Sequence, residues 1–130
     1  MSAIVVVGSL NMDLVFRVAR APEAGETIAG RGFTTAGGGK GANQAIACAR
    51  MGGTVAMVGC VGADDFGEAL RAGLIADRVD ASFVSREAGA ASGVAMVMVD
   101  DAAQNRIVIA PGANALLSPA KVEAARTALA

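Results

Sequence analysis

A run of glycines around one lysine, in TAGGGKGANQA (35–45), is the first feature of the sequence whose residue types could do chemistry. Glycines let backbone N–H groups approach a ligand closely, and a helix that begins near Gly41 adds a dipole that favours electron-rich oxygens. Lys40 and Asn43 are three positions apart at that helix start, so they project the same way. The stretch therefore predicts a loop that binds a polyhydroxylated ligand, with a tight turn and a solvated lysine as the alternative.

Two known phosphate-binding loops match this stretch incompletely. A Walker A loop requires a glycine five positions before Gly39 and a hydroxyl residue directly after Lys40, and the sequence has neither. The dinucleotide-binding pattern GxGxxG/A fits at Gly37, Gly39 and Ala42, but it does not directly follow the first core strand. It also lacks an acidic residue about twenty positions later. A dinucleotide-binding oxidoreductase is therefore kept only as a minor alternative.

A second polar pair lies in GSLNMD, where Asn11 and Asp13 follow the apolar run 4–8. The two side chains share one side if the segment is extended, and ligands of open α/β sheets bind outside the carboxyl ends of strands. A carboxylate accepts two hydroxyl hydrogen bonds at once, and an amide both donates and accepts. Alone, the pair would be turn formers; together with the lysine loop, it predicts a sugar site.

Composition narrows the classes of function. The chain has 130 residues, of which 54% are hydrophobic, enough to bury a core. Its 11 basic and 12 acidic residues leave a net charge of -1, which gives no footprint for nucleic acid or an anionic membrane. The apolar run 3–7 is no signal peptide and no segment reaches membrane-spanning length, so we expect a cytoplasmic protein. The lack of histidine excludes Ser-His-Asp and Cys-His catalysis, and Cys48 and Cys60 are expected to be buried free thiols.

Apolar periodicity predicts strands and helices that alternate, with added hairpins. The predicted elements are a buried strand at 4–8, extended segments at 14–18 and 26–36, a helix from 41 to the glycine pair at 52–53, a buried strand at 54–61, a helix capped by Asp64 or Asp65, a hairpin of 93–99 with 106–110, and a last helix capped by Ser118 with Pro119 at its first position. The buried stripe predicted for the second helix is Phe66, Ala69, Leu70, Gly73 and Leu74.

No repeat or internal linker divides the chain, so we predict one domain over 1–130. The last predicted helix has no strand after it, whereas several strands look buried on both faces. We therefore expect further strands of the sheet beyond Ala130.

Five motifs carry a family resemblance, and they occur in the family's order and spacing. They are GSLNMD (8–13), PEAGET (22–27), GGKGANQA (38–45), VGADDFG (61–67) and PGAN (111–114). Together they resemble the ribokinase (PfkB-type carbohydrate kinase) family over the whole chain. GGKGAN is a specific signature of that family, whereas a lone GxGxxG would be weak.

The resemblance implies a three-layer α/β/α ribokinase-like domain with a small β lid, present here as its N-terminal part. The lid strands would lie at about 14–36 and 93–110. In the family this lid often pairs between two subunits, and the apolar residues of 94–99 need cover, so we expect a homodimer through the lid.

The resemblance also implies an activity, the ATP-dependent phosphorylation of D-ribose at its 5-hydroxyl. The sugar-binding positions would be Asn11, Asp13, Gly39, Lys40 and Asn43. ATP and Mg²⁺ would be the cofactors of the full-length enzyme, with a monovalent cation left open, and this chain alone is expected to bind none of them. The alternatives are a fructokinase, an adenosine kinase, or a non-catalytic module that binds a sugar or dimerises.

Two departures from the family pattern concern sequence that is present. Gly37 adds a third glycine where members often carry another residue, which would alter the fit beside the sugar. The stretch 103–105 reads Ala-Gln-Asn where Gly-Glu-Asn is common.

A larger departure is the missing second signature, GAGD, with its catalytic aspartate. Family chains are more than twice as long as this one. The acidic residues at 64–65 match the early VGxDxFG element instead, where helix capping explains them. We therefore expect no catalytic residue in this chain and an inactive acceptor half.

Overall fold

The computed structural model describes residues 4–129, which form two β-sheets and three α-helices. In chain order the elements are β1 (Ile4–Val7), β2 (Asn11–Arg17), β3 (Gly32–Gly38), α1 (Lys40–Arg50), β4 (Val55–Gly62), α2 (Asp65–Ala76), β5 (Asp80–Glu87), β6 (Gly93–Val99), β7 (Asn105–Ala110), a 3₁₀ helix (Gly112–Leu116) and α3 (Pro119–Leu129). The predicted helices, the first buried strand and the 93–110 hairpin are confirmed, with shifts of a few residues at their ends.

The first sheet is parallel, in the order β1-β4-β5, and every residue of its central strand β4 is buried. Helices lie on both faces. Val6 packs in the core with the alanine face of α1 and with Leu70 and Leu74 of α2. Val5 and Val7 point to the opposite face, where they share a groove with α3. This arrangement confirms the predicted α/β/α layering.

The second sheet has the order β3-β2-β6-β7. Its β2 pairs with β3 in antiparallel fashion and with β6 in parallel, while β6 and β7 form the predicted hairpin. Only three residues, Gly8 to Leu10, separate β1 of the first sheet from β2 of the second. The chain therefore passes from one sheet to the other beside the start of α1. That these strands act as a lid stays a prediction.

Several sequence-based expectations need correction. Strand β5 was not predicted, because its sequence DASFVSRE has no apolar run and buries only Ala81 and Val84, which are three positions apart. Strand β2 begins earlier than expected, at Asn11, and β3 begins later, at Gly32. Cys60 is buried as predicted, whereas Cys48 is only half-buried.

The predicted buried stripe of α2 was also partly wrong. Leu70 and Leu74 are buried, but Phe66 keeps 37% of its surface exposed, and Ala69 and Gly73 are exposed as well. The helix instead turns Gly67 toward the sheet, where an added methyl would collide with the Gly62 carbonyl oxygen.

Within residues 4–129 no helix is long and apolar enough to cross a membrane.

Candidate functional site

One cavity of about 430 Å³ opens where the two sheets meet at the start of α1. Its lining includes all five residues that the sequence singled out, namely Asn11, Asp13, Gly39, Lys40 and Asn43. Two of them come from β2 and three from the glycine loop and the first turn of α1. The two polar motifs, which are separated along the sequence, thus face the same cavity.

The first turn of α1 lies tightly against the connection between the sheets. Gly39 has a φ of 94°, a backbone conformation that side-chain-bearing residues rarely adopt. A methyl on Gly39 would lie 2.6 Å from the Ser9 carbonyl oxygen and 2.9 Å from the Asn11 nitrogen. The Ala42 N–H donates to the same Ser9 oxygen at 3.0 Å. Glycine at 39 is therefore what allows the helix to begin beside the cavity.

Asp13 lies two residues after Asn11 on β2, so both side chains project to the same face. The carboxylate rests on the buried Gly38, where an added methyl would lie 2.7 Å from the Asp13 Cγ. Burial raises the pKa of the Asp13 carboxyl above its ordinary value of 3.8. Among residues 4–129 no hydrogen bond satisfies its oxygens, so both are available as acceptors.

Lys40 and Asn43 lie on the first turn of α1 and are exposed. Both line the cavity, where an ammonium group and a primary amide add donors to the carboxylate of Asp13. Together with the positive end of the α1 dipole, they make this side of the cavity rich in donors for oxygen atoms.

Sequence reasoning missed a polar residue of the cavity, Asn114. It was noted only as part of the PGAN motif, yet its side chain lines the cavity and donates to the Asn11 Oδ1 at 2.9 Å. A signal was present, since an asparagine in a short turn after β7 is a candidate for side-chain to backbone hydrogen bonding.

An apolar wall, to which the sequence analysis gave no role in the site, lines the other side of the cavity. It is formed by alternate residues of the β6–β7 hairpin, Ala95, Val97, Ile107 and Ile109. The alternation of these strands was visible in the sequence, but it was attributed to a dimer interface. Apolar surface facing polar donors is typical of small-molecule sites.

Gly37 does not line this cavity, so the expected effect on the fit beside the sugar is wrong. A methyl on Gly37 would meet Leu70 of α2 at an ordinary 3.6 Å, on the other side of β3. The reason is the pleat of the strand, which turns Gly37 and Gly38 to opposite faces.

Among the described residues that line the cavity, only Asp13 carries a carboxylate, beside neutral amides and the ammonium group of Lys40. Within residues 4–129 no three His, Cys, Asp or Glu side chains are grouped to hold a metal ion. The arrangement fits a small neutral molecule with several hydroxyl groups.

Comparison with known proteins agrees with this geometry. Residues 1–130 match the family described as pfkB family carbohydrate kinase. A ribokinase of Schizosaccharomyces pombe is 46% identical over 127 residues, which are 93% of this chain and 40% of that protein.

Two solved structures are also similar. The ribokinase of Giardia lamblia superposes with a TM-score of 0.86 at 38% identity, covering 95% of this chain and 38% of that one. The Arabidopsis thaliana ribokinase complexed with ribose and ATP gives a TM-score of 0.80 at 36% identity, covering 87% and 37%. The chain thus spans about two fifths of the length of the relatives it matches, and it belongs to the pfkB family of carbohydrate kinases.

Proposed function

We propose that this chain forms the sugar-binding half of a ribokinase, an enzyme that phosphorylates D-ribose at its 5-hydroxyl with ATP to give D-ribose 5-phosphate. The observation that carries the proposal is the carboxylate of Asp13, which has no hydrogen-bond partner among residues 4–129 and shares one cavity with Asn11, Lys40 and Asn43. The ribokinases among its relatives support the choice of sugar.

Each polar residue then has a role that follows from its chemistry. Asp13 accepts hydrogen bonds from two ring hydroxyls, because a carboxylate offers two acceptor oxygens. Lys40 and Asn43 hold other hydroxyls from the first turn of α1, and Gly39 lets the sugar approach the backbone. The apolar wall of the β6–β7 hairpin covers the carbon face of the ring.

Phosphoryl transfer needs more than an acceptor site. It requires a base on the attacking hydroxyl, charge stabilisation on the transferred group and a nucleotide with Mg²⁺. The chain spans about two fifths of its relatives, so we propose that the unmatched region supplies these parts, including sites for ATP, Mg²⁺ and any monovalent cation. The 130 residues alone are then inactive as a kinase, and ATP supply makes the cytoplasm the proposed location.

A homodimer through the second sheet is part of the same proposal. Strand β7 is a sheet edge with every residue exposed, and Ile107, Val108 and Ile109 each expose more than half of their surface. An apolar edge strand of this kind attracts a second copy. Sedimentation velocity tests it, and a monomer at all concentrations would count against it.

The experiment that tests the proposed sugar is a calorimetric titration of this chain with D-ribose, D-fructose and adenosine. Binding of D-ribose that is strongly weakened in Asp13→Asn supports the proposal. Preferential binding of fructose or adenosine would assign the chain to another member of the family. No binding to any of the three would contradict a self-sufficient sugar site in this half.

A further inference from the structure

The side chain of Asn114 reaches from the 3₁₀ helix after β7 to the connection between the two sheets. Its Oδ1 accepts a hydrogen bond from the Leu10 backbone N–H at 2.9 Å. Its Nδ2 donates to the Leu10 carbonyl oxygen and to the Asn11 Oδ1, each at 2.9 Å. Asn114 therefore contacts both the backbone below the cavity and a polar side chain that lines it.

These contacts fix which way both amides point. The Leu10 N–H can only donate, so the Asn114 atom that faces it must be the oxygen. The other end of that amide is then the NH₂ group, whose two hydrogens are shared among three acceptors at 2.9 Å, the carbonyl oxygens of Leu10 and Pro111 and the Asn11 Oδ1. Only an acceptor on Asn11 suits this NH₂ group, so the Asn11 oxygen must face Asn114.

Gly93, the first residue of β6, lets the two amides meet. A methyl there would collide with both the Asn114 Nδ2 and the Asn11 Oδ1. Asn11 itself is 9% exposed and lines the cavity, and its Nδ2 has no hydrogen-bond partner among residues 4–129. The N–H groups of Asn11 are therefore the polar atoms of this side chain that remain for a ligand.

We infer that Asn114 is a positioning residue, which holds Asn11 so that it presents only hydrogen-bond donors to the bound sugar. Asn11 and Asp13 then make complementary contacts, because Asn11 donates to a sugar oxygen and Asp13 accepts from sugar hydroxyls. The identity of the sugar rests on the proposed function, whereas the orientation of Asn11 does not.

Loss of affinity in Asn114→Ala would not by itself prove positioning. Leu10 is fully buried, and removing Asn114 leaves its backbone N–H and carbonyl without their partner, which also lowers stability. A double-mutant cycle separates the two effects, because a general loss of stability acts whether or not Asn11 is present.

The cycle compares D-ribose binding by the wild type, Asn11→Ala, Asn114→Ala and the double variant. We expect Asn114→Ala to weaken binding roughly tenfold, the size of one well-placed hydrogen bond. In the Asn11→Ala background the same change should cost less than about twofold. An equal loss in both backgrounds would overturn the inference and leave Asn114 a structural residue.

A measurement without ligand tests the orientation directly. In the wild type, ¹⁵N relaxation should show the Asn11 side-chain amide as rigid as the backbone, and in Asn114→Ala it should become mobile. Asn105→Ala, which removes an exposed asparagine at the start of β7, is the matched control and should leave it rigid. An Asn11 amide equally rigid without Asn114 would overturn the inference, whereas a wild type that ignores D-ribose would overturn only the proposed function.

Discussion

Asp64 accepts two hydrogen bonds from Ser92, one from the backbone N–H at 2.8 Å and one from the hydroxyl at 2.6 Å. The same carboxylate caps α2 by accepting from the Gly67 N–H at 2.8 Å. The Ser92 hydroxyl accepts in turn from the N–H of Gly62, the last residue of β4, at 2.9 Å. Because β6 begins at the next residue, Gly93, this network joins the first sheet to the wall of the cavity.

Asp64→Ala should therefore cost more than an ordinary helix cap. It removes the cap of α2 and leaves the buried Ser92 hydroxyl and N–H without their acceptor. We expect a loss of about 2 to 3 kcal/mol in the free energy of unfolding, measured by urea denaturation. Asp65→Ala is the control, since Asp65 is exposed in the first turn of the same helix and should cost a few tenths of a kcal/mol, on the order of a helix-dipole term. Equal losses in the two variants would contradict the network.

The pH dependence of stability should report the same network. The Ser92 hydrogen bonds lower the pKa of the Asp64 carboxyl below its ordinary value of 3.8. A lowered folded-state pKa adds stability above 3.8 that is lost as the pH falls through the lowered value. Asp64→Asn should thus be less stable than the wild type at about pH 6, and the two urea midpoints should converge in acid. A difference that stays constant with pH would show that the charge of Asp64 contributes nothing.

Gly39 and Gly37, two positions apart, should respond very differently to substitution by alanine. Gly39→Ala imposes a strained φ and collisions with Ser9 and Asn11. We therefore expect the free energy of unfolding to fall by about 3 kcal/mol and D-ribose binding to be lost. Gly37→Ala adds a methyl at an ordinary distance from Leu70 and should change stability by less than about 0.5 kcal/mol. Thermal unfolding and sugar titration measure both. A tolerated Gly39→Ala would remove the argument for a loop shaped by its backbone.

Local patterns made much of this fold predictable. The apolar spacing of α1, the buried run of β4 and the Asp64 cap all depend on residues a few positions apart. Asn11 and Asp13 were placed together because an extended strand turns alternate residues to one face. Such features can be predicted without knowing which distant residues of the sequence they contact.

What the sequence did not predict depends on contacts between distant segments. Asn114 bonds to Leu10 across 104 positions, and nothing near either residue indicates the other. Strand β5 pairs with β4 but buries only Ala81 and Val84, so it lacks the apolar run that identified β1 and β4. The exposure of Phe66 likewise depends on which residues of α2 face the sheet, and the close approach there is made by Gly67.

The carboxylate of Asp13 should lower the stability of the fold at neutral pH and strengthen sugar binding. Burial raises its pKa above 3.8, so the stability it contributes is present below that value and is lost as the pH rises through the raised pKa. We expect Asp13→Asn to raise Tm at about pH 7, yet to weaken D-ribose binding about tenfold or more, because the amide loses an acceptor and the charge. Affinity of the wild type should fall as acid protonates Asp13. Calorimetry of the wild type and of Asp13→Asn tests this expectation, and Asp65→Asn, at an exposed position, is the control. A loss of stability in Asp13→Asn at neutral pH would identify Asp13 as a structural residue.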